Sequence, residues 1–366
     1  MIRLFQRQNW DVSYASTAAE SSFAIDLYGI GVNKLSVKVN DIGFDAIIQN
    51  LAPDMVMYDR FMTEEQFGWR VAKFAPNALR ILDTEDFHCL RYARQRAFQE
   101  KRVFTDDDLL SDVAIREVAA ILRSDLSLMI STYEIELLER VFNVDAELLH
   151  YLPFMVDAEE RKSDKTFSDR QHFVSIGNFH HAPNLDAVKY LKSDIWPLIR
   201  KQMPNAELHV YGAYPTQQVL EMNDPSSGFI VKGRAEDAFE VIGNARVLLA
   251  PLRFGAGLKG KLLNAMQCGT PNVTSSIGAE AMHGQLPWNG FIADDAAEYA
   301  EKAVQLYQDE KLWTEAQQNG SIILKGIFDA GLHSQVFIER LKAIQKNLTK
   351  HRSSNFMGQM LKHHTM

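Results

Sequence analysis

Three cations stand among three glycines in the stretch APLRFGAGLKGKLLNAMQCGTP, Ala250 to Pro271. Arg253, Lys259 and Lys261 are interleaved with Gly255, Gly257 and Gly260 just ahead of a run with helical spacing. Glycine lets a backbone approach a ligand closely, and the first turn of a helix presents unpaired N–H groups and the positive end of its dipole. Cations, amides and a dipole directed at one point suit an anion, and a diphosphate is the natural guest. The stretch is not a P-loop, because Gly260-Lys261 is followed by Leu262 rather than Ser or Thr. It is not a dinucleotide fingerprint either, since the acidic residue expected after the next strand is missing. The competing reading is a glycine-rich turn whose lysines reach solvent; so many glycines beside so many cations is a costly way to build a plain connection.

Three further loops carry unusual residues. Gly177 and Asn178 end one strand and precede a helix that Asn184 or Asp186 could cap; the pair suits close approach to a phosphate as well as it suits a tight turn. His180 and His181 follow, but adjacent histidines without a third partner are a weak metal signal. Gly233 and Arg234 end another strand, where exposed main chain could meet a nucleobase edge and the guanidinium a phosphate; a solvated arginine is the plain alternative. Glu280, in SSIGAEAMHG, could accept hydrogen bonds from sugar or ribose hydroxyls, or merely begin a helix.

The elements that position these loops alternate along the whole chain. In the first half, strand candidates Val12–Ala15, Lys34–Val39, Met55–Tyr58, Leu79–Leu82 and Leu128–Ser131 are separated by helical stretches Phe44–Leu51, Thr63–Phe74, Asp106–Arg123 and Glu134–Phe142. The segment Tyr151–Arg170 breaks the pattern with a proline and a charged run, the composition of a domain linker. Strands are then expected at Phe173–Ile176, Glu207–Tyr211, Phe229–Lys232, Val247–Ala250 and Asn272–Thr274, with helices at Leu185–Gln202, Ala238–Asn244 and Lys261–Cys268. Two doubly wound α/β domains in tandem follow, at 1–155 and 170–332, with a C-terminal helix and basic tail over 333–366. Ligands of such sheets sit beyond the carboxyl ends of the strands, where the unusual loops fall.

Composition sets bounds on function. A chain of 366 residues with 46% hydrophobic and 23% charged residues fills two cores rather than one. A net charge of −8 argues against a surface built for nucleic acid. Cys89 and Cys268 are far apart and read as reduced, buried thiols rather than as a disulfide or zinc site. No stretch has the apolar length to span a bilayer, so a cytoplasmic location is expected. The tail, with Lys346, Lys350, His351, Arg352, Lys362, His363 and His364, is a candidate for peripheral contact with anionic lipid at the inner face of a membrane, although such tails are more often solvated.

Taken in order, FVSIGNFHHAPNLDAVKYL, IWPLIRKQMPNAELHVYG, the run from Val231 to Met282 and GFIADDAAEYAEKAVQLYQDEKLW closely resemble the C-terminal domain of family-four, group one glycosyltransferases. The first half is similar more loosely, through LDTEDFHCLR and SDLSLMISTYEIELL. The resemblance implies a GT-B fold, two Rossmann-like domains facing a cleft, and transfer of a sugar from a nucleotide-diphosphate donor to a hydroxyl acceptor with retention, in glycan or glycoconjugate synthesis. It implies catalytic roles for Asp86, His88, Arg253 and Lys259. Donor binding is implied for Gly177, Asn178, Gly233, Arg234, Gly257, Lys261, Asn264 and Glu280. The donor sugar is a substrate, so no cofactor is expected, and Asp294-Asp295 reads as a helix cap rather than a metal motif, so no metal is expected either.

Two departures stand out. Ala256 and Asn264 occupy positions where the family commonly has a pair of glutamates. The opening MIRLFQRQNWDVSYAS falls where the family's first helix is already running, so the first strand and glycine-rich loop of the N-terminal domain are expected to be missing. Competing with a transferase are a non-catalytic GT-B scaffold or binding protein and a sugar-nucleotide epimerase, for which the acidic and basic groups are incomplete.

Overall fold

The structure, a computed structural model, describes residues 1–19, 24–160 and 162–365; Arg161 of the expected linker and the side chain of His364 lie outside the described residues. Strands β1 (Ser13–Ser16) and β2 (Asn33–Ser36) form a parallel pair of their own. Next, β3 (Met55–Asp59), β4 (Leu79–Asp83), β5 (Leu126–Met129) and β6 (Leu149–Tyr151) make a parallel sheet in chain order. The second sheet contains β7 (Gln171–Ile176), β8 (Leu208–Tyr211), β9 (Phe229–Gly233), β10 (Ala245–Ala250), β11 (Asn272–Thr274) and β12 (Gly290–Ile292) in the order β12-β11-β10-β7-β8-β9. Its order reverses between β7 and β10, the switch point beside which such sheets open a ligand crevice.

Each sheet is buried on both faces, as parallel sheets are. Leu79 and Ile81 of β4 pack with Phe337, Leu341 and Ile344 on one face, while Leu82 joins Phe61, Leu90 and Leu137 on the other. In the second sheet Phe173, Val247 and Leu249 meet Trp196, Tyr299 and Trp313; Val174 and Leu248 meet Ile242, Leu262 and Met266. By contrast Ser13, Tyr14 and Ala15 are exposed, so β1 has no apolar face to dock and the β1–β2 pair stands apart from the four-stranded sheet.

Several elements differ from the sequence reading. The expected helix over 106–123 splits into a 3-10 turn, Asp106–Leu109, and a helix, Asp112–Arg123, because Ser111 accepts from the Ala114 amide and starts a new helix there. The helix over 185–202 begins earlier, at Ala182, and relaxes into a π turn at Leu191–Ile195 just ahead of Pro197, whose missing N–H interrupts the ladder. A helix, His88–Gln99, and strands β6 and β12 were not expected. The Asp295 carboxylate accepts from the amides of Ala297 and Glu298, and so does cap a helix, Ala296–Gln308.

Two segments cross between the halves side by side. The Val156 amide donates to the Phe328 carbonyl at 2.9 Å, and the Ala330 amide to the Val156 carbonyl at 2.8 Å. Beyond the crossing, helix Ala330–Lys346 returns to the first sheet, followed by helices Leu348–Ser354 and Phe356–Thr365. The basic tail is therefore partly turned inward rather than wholly solvated. Asp125, whose side chain is 1% exposed, accepts from Arg352 Nε at 2.8 Å and Nη2 at 2.7 Å and from the Arg80 amide at 2.9 Å, with Lys362 nearby. Burial works against ionisation of Asp125, but the Arg352 hydrogen bonds and the Arg80 charge outweigh it and hold its carboxyl below the usual range. No helix among the described residues is long and apolar enough to cross a membrane.

Removing the Asp125 carboxylate leaves the arginines without their shared counter-ion. Asp125→Ala is expected to cost about 3–5 kcal/mol in urea unfolding, the scale of a buried pair that loses one partner.

Candidate active site

A cleft of about 890 Å3 opens between the two sheets. Its second-domain wall comes from the loops after β7 and β10, which flank the switch point. The first supplies Gly177, His181, Pro183 and Asn184; the second supplies Leu252 and Phe254 to Ala256, then Leu258 to Lys261 and Asn264. Lys259 is the N-cap of helix Gly260–Gln267, so both lysines stand at the positive end of that helix. Lys261 Nζ donates to Asn184 Oδ1 at 2.7 Å, and Lys259 Nζ to the carbonyls of Gly257 at 2.5 Å and Ala256 at 3.2 Å. Burial pulls Lys259 down to about 8 against the charges of Glu280 and Glu134, and burial with the Lys259 charge pulls Lys261 down to about 7. Such lowered values mean cations short of counter-charge, which an anionic guest would supply.

Gly177 makes room for this pair. A Cβ there would lie 2.7–2.8 Å from the Asn184 side chain and 2.9 Å from Lys261 Nζ. Gly257 is required for a different reason. Its φ is +63°, and a Cβ would fall 2.7 Å from the Asp86 Cβ of the first domain.

The opposite wall comes from the end of β4, the loop after it and the helix it leads into, with Asp83, Glu85, Asp86, His88 and Arg91, and from Arg60 just after β3. Asp86 Oδ1 faces His88 Nε2 at 3.2 Å, and its other oxygen pairs with Arg91. Burial would raise the Asp86 carboxyl, but the His88 hydrogen bond and the Arg91 charge prevail and keep it low, hence ionised. The His88 ring stands edge-on to Phe61, 5.4 Å between centroids, which fixes its plane. Asp83, by contrast, is pushed up to about 6 by burial and the Glu85 charge.

Of the residues expected to act, Asp86, His88, Gly177, Lys259, Lys261 and Asn264 line the cleft together. The others are placed elsewhere. Arg253 is held by Asp186 through hydrogen bonds of 2.8 and 2.6 Å and lies over the rings of Phe98 and Tyr190, so its guanidinium is engaged away from the cleft. Glu280 is gripped by Arg94 of the first domain at 2.8 and 2.7 Å, a bridge between the domains rather than a free acceptor for a hydroxyl. Asn178 caps its own turn, accepting from the His180 amide and from Asn184 Nδ2. Gly233 and Arg234 are outside the cleft lining, and Gly257 directs its amide at Glu134 of the first domain. His180 is stacked on Tyr214 at 4.5 Å while His181 borders the cleft.

Asp83, Glu85, Arg91 and Asn184 were missed as wall residues. Asp83 and Glu85 had a signal, since LDTEDFHCLR gathers carboxylates at a strand end; Asn184 had none beyond its place near a helix start.

Two parallel-sheet domains with a cleft at the carboxyl ends of their strands, crossed twice by the chain, are the GT-B architecture. Sucrose-phosphate synthase from Thermosynechococcus elongatus superposes with a TM-score of 0.70 at 14% identity, over 93% of this chain and 90% of its own. HepE from Anabaena, in complex with UDP and glucose, gives 0.67 at 14% identity over 90% and 91%. A TarM variant from S. aureus, in complex with fondaparinux, alpha-GlcNAc-glycerol and UDP, gives 0.63 at 10% identity over 81% of this chain; the chain spans 58% of TarM's length. No curated protein matches in sequence. Residues 170–309 match the family described as glycosyl transferases group 1.

Gly177→Ala tests how the lysine is positioned. The clash falls on side-chain ends that can shift, so the melting temperature should stay within a few degrees, while a crystal structure of the variant should show Lys261 Nζ displaced from Asn184 Oδ1.

Proposed function

We propose that the protein is a glycosyltransferase that binds a nucleoside-diphosphate sugar in the cleft and transfers the sugar to a hydroxyl acceptor. The observation that carries this reading is the meeting of Lys259, Lys261 and the N-terminus of helix Gly260–Gln267 on one wall with Asp86, His88 and Arg91 on the other. The lysines and helix end would hold the diphosphate and take up its growing charge as the sugar's C1–O bond breaks with its electron pair leaving on the phosphate. The ionised Asp86, held by His88 and Arg91, would face the cationic sugar. The acceptor oxygen would attack from the face the diphosphate leaves and pass its proton to the departing phosphate oxygen, giving retention. In this scheme Arg253 has a supporting role, anchoring the loop through Asp186.

UDP is the first nucleotide to try, because HepE and TarM are each described with it. A saccharide or lipid-linked saccharide acceptor fits the same reading. No divalent metal is needed if the lysines neutralise the phosphates, so transfer should persist in EDTA.

A binding protein that transfers nothing is the second reading. It is favoured by Glu280 and Arg253 being engaged elsewhere and by the lack of carboxylates at Ala256 and Asn264. Hydrolysis of a UDP-sugar without acceptor separates the two. The transferase reading requires slow release of free sugar that Asp86→Asn abolishes with UDP affinity unchanged; nucleotide binding with no turnover of any donor selects the second.

Lys259→Ala with Lys261→Ala is expected to remove measurable UDP binding in calorimetry, and unchanged affinity would refute the assignment. Binding should also depend on pH with a definite sign. Each lysine is charged below its pKa, about 8 and about 7, and an anion binds that form; affinity therefore falls as pH rises. Between pH 7.5 and 9.5 the loss should be about tenfold or more, and smaller in either single variant.

A further inference from the structure

Glu134 belongs to the first domain, in helix Thr132–Phe142, and is completely buried. Its Oε1 accepts from two amides: Phe87, just before helix His88–Gln99, at 3.2 Å, and Gly257 of the second-domain glycine loop at 2.7 Å. Its Oε2 has no hydrogen-bond partner among the described residues. An under-satisfied carboxylate in such a place is costly, and burial pushes it up to about 7. Two residues back along the same loop, the Gly255 carbonyl accepts from Arg94 Nη1 at 2.9 Å, and Arg94 also grips Glu280. Arg94 is itself held over the Tyr133 ring, 4.9 Å from its centroid, beside Glu134 in the chain. The first domain thus takes hold of the glycine loop's main chain at one N–H and one C=O.

We infer that Glu134 is a positioning residue, which with Arg94 clamps the Gly255–Gly257 backbone from across the domain boundary. The loop reaches the shape that aims Lys259 and the helix N-terminus into the cleft only when the domains are together. Lys259 Nζ donates to the Ala256 carbonyl at 3.2 Å, and the same peptide unit carries the Gly257 N–H that Glu134 holds, so that unit links the clamp directly to the cation. Neither clamp residue lines the cleft. Glu134 therefore acts through the loop and touches no ligand. What the clamp serves rests on the donor reading above; that the clamp exists does not.

The test uses the full chain and reads amide exchange at Gly257 by NMR with UDP affinity alongside. Glu134→Ala removes the acceptor, and Glu134→Asp keeps the charge on a stem too short to span both amides. Gly257 exchange should quicken about tenfold or more in each, while amides in β4 and β5 hold their protection, and UDP should bind about tenfold more weakly. Glu134→Gln still presents an oxygen to both amides, so it should keep Gly257 protected and UDP affinity within about twofold of wild type. Unchanged Gly257 exchange in Glu134→Asp, or a Gln variant as loose as the Asp variant, would overturn the clamp. If the wild type binds neither UDP nor ADP nor GDP, the transferase reading falls and the exchange data alone decide the clamp. Should the Ala variant not fold, the Asp and Gln pair decides it.

Discussion

Everything at the cleft depends on how closely the glycine loop can approach the first domain. Gly257 has a positive φ and leaves no space for a Cβ against Asp86. That approach sets Asp86 and His88 opposite the lysines, lets Arg94 reach both Gly255 and Glu280, and lets Glu134 reach the Gly257 amide. Phe98 and Phe254 pack across the same boundary with ring centroids 5.4 Å apart, an apolar contact that shields these polar bonds. A larger residue at 257 would push the domains apart and loosen all of these contacts together.

Charge at the boundary is mostly arranged in pairs, with Glu134 and the two cleft lysines set apart. Arg253 with Asp186, Arg94 with Glu280 and Arg91 with Asp86 each satisfy themselves. Among the described residues the Lys259 and Lys261 ammonium groups are bonded to neutral oxygens alone, and their pKa values are lowered. A site that leaves its cations matched by dipoles rather than carboxylates is poised for an anion, since a guest carrying negative charge gains their full attraction in a place of low dielectric. Buried carboxylates serve the first domain differently. Glu117 accepts from the amides of His88 and Cys89, closing the N-terminus of helix His88–Gln99 and so orienting the His88 side chain.

Much of this fold can be read in the sequence, because it rests on local pattern. Apolar β-branched runs alternating with helical periods locate most strands within two residues, and a proline followed by charge marks the crossing near 151–170. Glycines interleaved with lysines mark the second-domain wall of the cleft for the same reason: backbone access and cations both come from one loop. What could not be read was the use each polar residue makes of its partner. Arg253 and Glu280 look identical in type to ligand-binding groups, yet Asp186, 67 positions away, and Arg94, 186 positions away, claim them. Glu134 gave no signal because its role exists only where two distant loops meet. Helix His88–Gln99 escaped notice because its charged sequence lacks a clean apolar stripe and its start is capped from another helix.

The central claim is that a nucleoside diphosphate lies in this cleft with its phosphates on the glycine loop. A crystal structure of the full chain with UDP tests it most directly. The account predicts phosphate oxygens within hydrogen-bonding distance of Lys259 Nζ, Lys261 Nζ and an amide of the first turn of helix Gly260–Gln267. Phosphates seated elsewhere, or a cleft that stays empty at saturating UDP, ADP and GDP alike, would contradict it.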